Sequence, residues 1–72
     1  MDKISVAYGN YIREHRKKIG LSQADVAKRL GISQQAYGRY EQGLREPTFS
    51  FIINISHILD YDPGEFFDNY RG

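Results

Sequence analysis

Glycine and proline cut this chain into pieces too short to stand alone. Gly20, Gly31, Gly43 and Pro47, then Pro63 and Gly64, divide its 72 residues into five segments. Isolated helices shorter than about 12–15 residues are marginal in water, so packing must hold these pieces in place. Cysteine is absent, which removes disulfides and cysteine-ligated zinc as staples. His15 and His57 alone do not make a metal core. A domain this small buries only about 60% of its unfolded surface. Aliphatic and aromatic packing, and a second copy of the chain, are therefore the expected sources of stability. The longest apolar runs are a few residues, far short of the roughly 20 that span a bilayer. No apolar stretch follows a basic one at the N-terminus, as a secretory signal would require. The expectation is one soluble, cytoplasmic domain over residues 1–72, with no cofactor and no membrane partner.

Periodicity gives the segments their type. Tyr8, Ile12, His15 and Ile19 fall on one helical stripe, in a first helix expected from about Ser5 to Lys18. Ser22 caps a second helix, with Asp25 three residues on in a variant capping box. Val26, Ala27 and Leu30 form its apolar face, and Gly31 stops it. Ser33 caps a third, with Ala36, Tyr37 and Tyr40 on one side and Gly43 at its end. After Pro47, Thr48 caps a fourth helix reaching Leu59, with Phe49, Ile52, Ile55 and Leu59 expected inward. A short fifth carries Phe66, Phe67 and Tyr70. No period-2 stretch is long enough for a sheet. The fold class is all-α, a compact bundle of five short helices.

The second and third segments carry the functional signal. Two helices of about eight residues are joined by a short turn holding Gly31, which is the helix-turn-helix arrangement, over about residues 22–41. Val26, Leu30, Ile32, Tyr37 and Tyr40 are expected to turn inward and set the angle between the helices. The opposite face of the third helix shows Ser33, Gln34, Gln35, Gly38 and Arg39. Glutamine pairs bidentately with adenine N6/N7, and arginine with guanine O6/N7. Gln34, Gln35 and Arg39 are accordingly the candidate base-contacting residues. Ser22, Gln23 and Ser33, at helix N-termini, are candidates for holding phosphate. Charge agrees in sign: residues 1–47 hold nine Lys/Arg against five Asp/Glu (+4), and residues 48–72 one Arg against four acids (−3).

These residues also carry a resemblance. Ile12-Arg13 through Leu59 is similar to the lambda repressor and Cro family, the XRE type, with a family match extending over about 12–66. Leu21-Ser22-Gln23-Ala24-Asp25-Val26-Ala27 resembles the opening of that family's motif. Tyr40-Glu41-Gln42-Gly43 and Arg45-Glu46-Pro47 resemble its exit. The resemblance implies a sequence-specific regulator of transcription that binds a double-stranded DNA operator with the third helix in the major groove. It also implies an ion pair between Arg16 and Glu41. Arg45 joins the candidate phosphate contacts. Two positions depart from the pattern. His15 stands where relatives commonly carry an apolar residue, and is read as packed and hydrogen-bonded. Gly38 removes a side chain from the row facing DNA, at about 1 kcal/mol of helix propensity. The hydroxyls of Tyr37 and Tyr40 need partners, a phosphate at the rim among them.

A homodimer reading two half-sites about 34 Å apart is the usual solution for a module of this size. Phe51, Ile55 and Ile58 form a second stripe on the fourth helix, and with Phe67 and Tyr70 they are the candidate dimer interface. The alternative reading is an antitoxin, anti-repressor or restriction-modification controller acting mainly through a protein partner. Catalysis is not expected, because the chain offers no nucleophile–base set, no glycine-rich phosphate loop and no metal-ligand spacing. No residue is assigned a catalytic role.

Overall fold

The structure, a computed structural model, describes residues 2–72. Among these residues the chain is all-helical: α1 (Lys3–Lys18), α2 (Gln23–Leu30), α3 (Gln34–Gln42), α4 (Phe49–Ile58) and α5 (Glu65–Asn69). Four helices start on a side-chain cap. Ser22 accepts the Asp25 N–H at 3.0 Å while the Asp25 carboxylate accepts the Ser22 N–H at 2.9 Å, a complete capping box. Ser33 accepts from the Ala36 N–H at 3.1 Å and Thr48 from the Phe51 N–H at 3.0 Å. At α1 the Asp2 carboxylate accepts the Ser5 N–H at 2.8 Å, which starts that helix two residues earlier than its apolar stripe predicts. Gly31 and Gly43 end α2 and α3 in the left-handed conformation, φ 73° and 75°. A side chain would strain either position.

The core gathers where α1, α2, α3 and α4 converge. Ile12, Val26, Tyr37 and Ile55 have no exposed surface, and Leu59 almost none. Leu30 and Ile32 are half-buried against them. Ala27 is buried where α3 crosses. Of the glycines, Gly9 of α1 has the least room for a side chain. A Cβ there would lie 2.6 Å from the Tyr40 carbonyl oxygen and nearer still to that of Glu41, so only glycine lets α1 lie against the end of α3.

Three parts of the predicted packing differ. On α1, Tyr8 and Ile12 are buried, but Ile19 is 45% exposed because the last turn runs past the bundle. His15 is half-buried, and its neighbours are rings, Tyr11 at 4.5 Å and Tyr61 at 4.7 Å between centroids, in place of the hydrogen bond expected. On α4 the inward arc is Phe51, Ile55 and Leu59, with Ile52 beside it, and Phe49 is 90% exposed. The arc therefore opens at Phe51 rather than at Phe49, with Ile52, Ile55 and Leu59 inward as the apolar pattern implies, a phase that leaves Phe49 outside.

That phase corrects the candidate dimer stripe. Phe51 is 6% exposed and stacks on Tyr40 at 3.8 Å, and Ile55 is wholly enclosed, so both are spent on the chain's own core. Ile58 is half-buried against the same core, and Tyr70 stacks on Phe66 at 5.4 Å. Of the stripe, Phe67 alone is exposed, at 44%. Among the described residues no helix is long and apolar enough to cross a membrane.

Candidate nucleic-acid interface

Helix α3 has an inner side that fixes its position and an outer side that is free. The inner side is organised by Glu41, a carboxylate with only 2% of its surface exposed. Burial raises the free energy of a charge unless donors replace water. Glu41 has four. Arg16 of α1 donates twice, Nε to Oε2 at 2.7 Å and an Nη to Oε1 at 3.2 Å. Tyr37, one turn earlier on α3, donates its hydroxyl at 2.5 Å. Gln23, at the start of α2, donates from Nε2 to Oε1 at 2.9 Å. Burial pushes the Glu41 carboxyl up, but the bonds from Arg16, Tyr37 and Gln23 outweigh it and leave it below the ordinary 4.5.

Arg16 also donates to the Leu21 carbonyl at 3.0 Å, and Arg13 to the Glu41 carbonyl at 3.1 Å. One carboxylate thus joins α1, α2 and α3. The Tyr37 hydroxyl lies in this buried network rather than at a rim where a phosphate could reach it. Tyr40 is buried against Phe51, and the guanidinium of exposed Arg45 sits 5.4 Å above its ring.

The outer side forms a concavity of about 600 Å³ lined by Gln23, Gln34, Gln35, Gly38, Arg39 and Gln42. Gln34, Gln35 and Arg39 are exposed and converge on it. Gly38 lies on its floor, where a Cβ would come 3.7 Å from the Gln23 Oε1, so the missing side chain opens the groove beneath that amide. Gln23 therefore belongs to both sides: Nε2 is spent on Glu41, and the carbonyl oxygen stands over the groove. Ser22 and Ser33 are exposed at the N-termini of α2 and α3 with their hydroxyls already accepting cap bonds. Arg45 and these two serines lie outside the concavity. Sequence reasoning missed Gln42. Its signal was available, since 35, 38, 39 and 42 share one helical stripe that continues a turn beyond Arg39.

Two short helices joined by a glycine turn, locked by a buried carboxylate and presenting a polar groove, define a helix-turn-helix domain. The model of the Helix-turn-helix family matches residues 12–66. The chain belongs to that family, in its lambda repressor-like, XRE branch. YqaE, an uncharacterised HTH-type transcriptional regulator of Bacillus subtilis (strain 168), is 43% identical over 53 residues, which are 74% of this chain and 46% of that protein. An uncharacterised HTH-type transcriptional regulator of Methanothermobacter thermautotrophicus is 38% identical over 48 residues, 67% of this chain and 70% of that protein. Among solved structures, the restriction-modification controller protein C.AhdI of Aeromonas hydrophila superposes with a TM-score of 0.77 at 33% identity, over 83% of this chain and 87% of that one. The chain spans about half the length of the first curated relatives it matches.

Proposed function

We propose that this chain is the DNA-reading domain of a transcriptional regulator, a single domain over residues 1–72 that binds a double-stranded operator. Helix α3 enters the major groove. Gln34, Gln35 and Arg39 meet base edges, and Gln42 extends their row. Ser22, Gln23, Ser33 and Arg45 meet the backbone on either side: the serines and Gln23 through the N–H groups at their helix ends, Arg45 as a charge. The observation that carries this reading is the convergence of α2's first residue and α3's whole outer stripe on one polar concavity, while α3's inner stripe is held by Glu41.

The longest dimension of the chain is 31 Å, close to one turn of DNA, so one copy covers one half-site. A homodimer acting in the cytoplasm, through the face where α4 and α5 leave apolar side chains exposed, fits an operator of two half-sites. The chain does its work by binding, with no catalytic step. Selection of bound sequences from random duplexes, followed by titration at several salt concentrations, tests the reading. The expected result is an enriched sequence bound at least about 10³-fold more tightly than random DNA. Failure to associate with any duplex at low ionic strength would overturn it.

A further inference from the structure

Among the described residues two glycines, Gly9 and Gly38, lie inside helices, and the bundle accounts for one of them. Glycine is the costliest residue in a helix interior after proline, so each position asks for a reason. Gly9 has its reason in the carbonyls of Tyr40 and Glu41, which a Cβ would strike. Gly38 has no such reason. It stands mid-way along α3, and its φ is not left-handed. Among the described residues a Cβ there would meet Gln23 Oε1 alone, at 3.7 Å, an ordinary van der Waals contact. The fold would accept alanine at 38 and gain stability by it. The room that Gly38 leaves is on the floor of the concavity, one turn after Gln34 and Gln35 and one turn before Gln42, at the centre of the outward row.

We propose that Gly38 is a specificity-determining residue of the interface, the seat of a thymine C5-methyl group. The inference rests on the DNA-reading proposal above and names one base that the operator must carry. Gly38 has no side chain, and inside α3 its N–H and C=O are spent on the helical ladder. It offers a base edge close van der Waals contact and no hydrogen bond. The groups that base pairs display in the major groove are hydrogen-bond donors and acceptors, and the thymine methyl is the one apolar group that projects among them. A donor or acceptor pressed onto Gly38 would lose its water and find no partner, which costs free energy. A methyl group pressed there loses nothing and leaves water behind. The hydrogen-bonding ends of Gln34, Gln35, Arg39 and Gln42 stand around this floor, free for the polar edges of neighbouring pairs. A Cβ at 38 would occupy the space that the methyl group needs.

The parent and Gly38→Ala, each titrated with the selected operator and with operators in which deoxyuridine replaces one thymine at a time, test the seat. Deoxyuridine keeps the base pair and removes only the methyl group. For the parent, one thymine position of the half-site is expected to lose about 3- to 5-fold in affinity on that replacement, the worth of one buried methyl. Gly38→Ala is expected to melt higher than the parent, by up to about 8 °C, yet to bind the intact operator at least about 5-fold more weakly. At that same position it should bind uracil more tightly than thymine, because the Cβ has taken the methyl group's place. A variant that melts below the parent would overturn the premise that the fold leaves room at 38. A variant that binds the operator as the parent does, or that weakens while keeping the parent's preference for thymine at every position, would overturn the methyl seat and leave the DNA-reading proposal standing. A parent that binds no duplex at low ionic strength would overturn both.

Discussion

Two tyrosines in this chain donate their hydroxyls to two glutamates, with different consequences. Tyr37 reaches Glu41 at 2.5 Å inside the bundle, and Tyr11 reaches Glu65 at 2.8 Å on its surface. Around Glu41 the partners are directional donors, the Arg16 guanidinium among them, and they tie α1, α2 and α3 into one arrangement. Around Tyr11 the partners are rings: Tyr61 at 5.2 Å, Phe66 at 5.3 Å and His15 at 4.5 Å. Ring packing tolerates a range of angles, whereas a buried carboxylate with four donors tolerates one. The directional region sits directly beneath the helix proposed to read DNA, and the tolerant one holds the short α5 against α1. Burial raises the pKa of Tyr37 and of Tyr11, with the glutamate partner adding to it in each case, so both hydroxyls remain donors across the ordinary pH range.

The sharpest way to break this contrast is at Glu41. Removing its carboxylate strands Arg16, whose side chain is 12% exposed, along with Gln23 and Tyr37. Losing one partner of a buried pair costs about 3–5 kcal/mol, a large share of the stability of a small domain. Glu41→Ala is therefore expected to be largely unfolded or to melt far below the parent, as read by denaturant unfolding followed by circular dichroism.

Acid should reach the same network by another route. Because the folded Glu41 carboxyl lies below its ordinary 4.5, its contribution is complete above that value and is lost as pH falls through the folded one. Asp2 and Asp25, lowered by their cap hydrogen bonds, slope the same way. Stability measured from pH 6 down to pH 3 is expected to decline for the parent and to decline less steeply for Glu41→Gln, which starts lower. Equal slopes would remove Glu41 as the responsible group.

The matched pair of tyrosines tests the contrast with one chemical change made twice. Tyr37→Phe takes a donor from a buried charge, worth about 1.5–3 kcal/mol. Tyr11→Phe takes one from an exposed carboxylate and leaves the rings in place, so its cost should stay under about 1 kcal/mol. Urea midpoints at constant slope give both numbers. Similar losses at the two sites would mean that the directional and tolerant regions are not energetically distinct.

The parts of this fold legible in the sequence are those decided locally. Ser22, Ser33 and Thr48 cap helices because a short side-chain oxygen reaches the N–H three residues on, and Gly31 and Gly43 end them because a left-handed residue must. The outward row of Gln34, Gln35 and Arg39 follows from helical period once Tyr37 and Tyr40 are placed inside. Other features are set by tertiary neighbours and leave little local trace. Gly9 is glycine because of the Tyr40 and Glu41 carbonyls, more than 30 residues away. Gln23 looks like any polar residue at a helix start until Glu41 claims its amide. Phe49 fits an apolar stripe on α4, and its exposure depends on where the bundle stops. Asp2 lies ahead of any apolar pattern, so its cap was invisible to periodicity.

The smallest expected change in stability is at Arg39, and it separates the two sides of α3 most cleanly. Arg39 sits on the same helix as Tyr37, two residues away, and points into the open concavity with no partner inside the bundle. Truncating an exposed side chain outside any network changes stability by no more than about 0.5 kcal/mol. If that side chain reads a guanine edge, the same truncation costs about 1–3 kcal/mol of operator affinity and relaxes the preference at one base pair. Arg39→Ala is thus expected to melt with the parent, to bind operator about 5- to 150-fold more weakly, and to accept substitutions at a single position in repeated sequence selection. Uniform weakening on all duplexes, with the preferred sequence unchanged, would move Arg39 from base reading to backbone contact. Unchanged affinity would remove it from the interface, leaving the inner network as the only assigned role for α3.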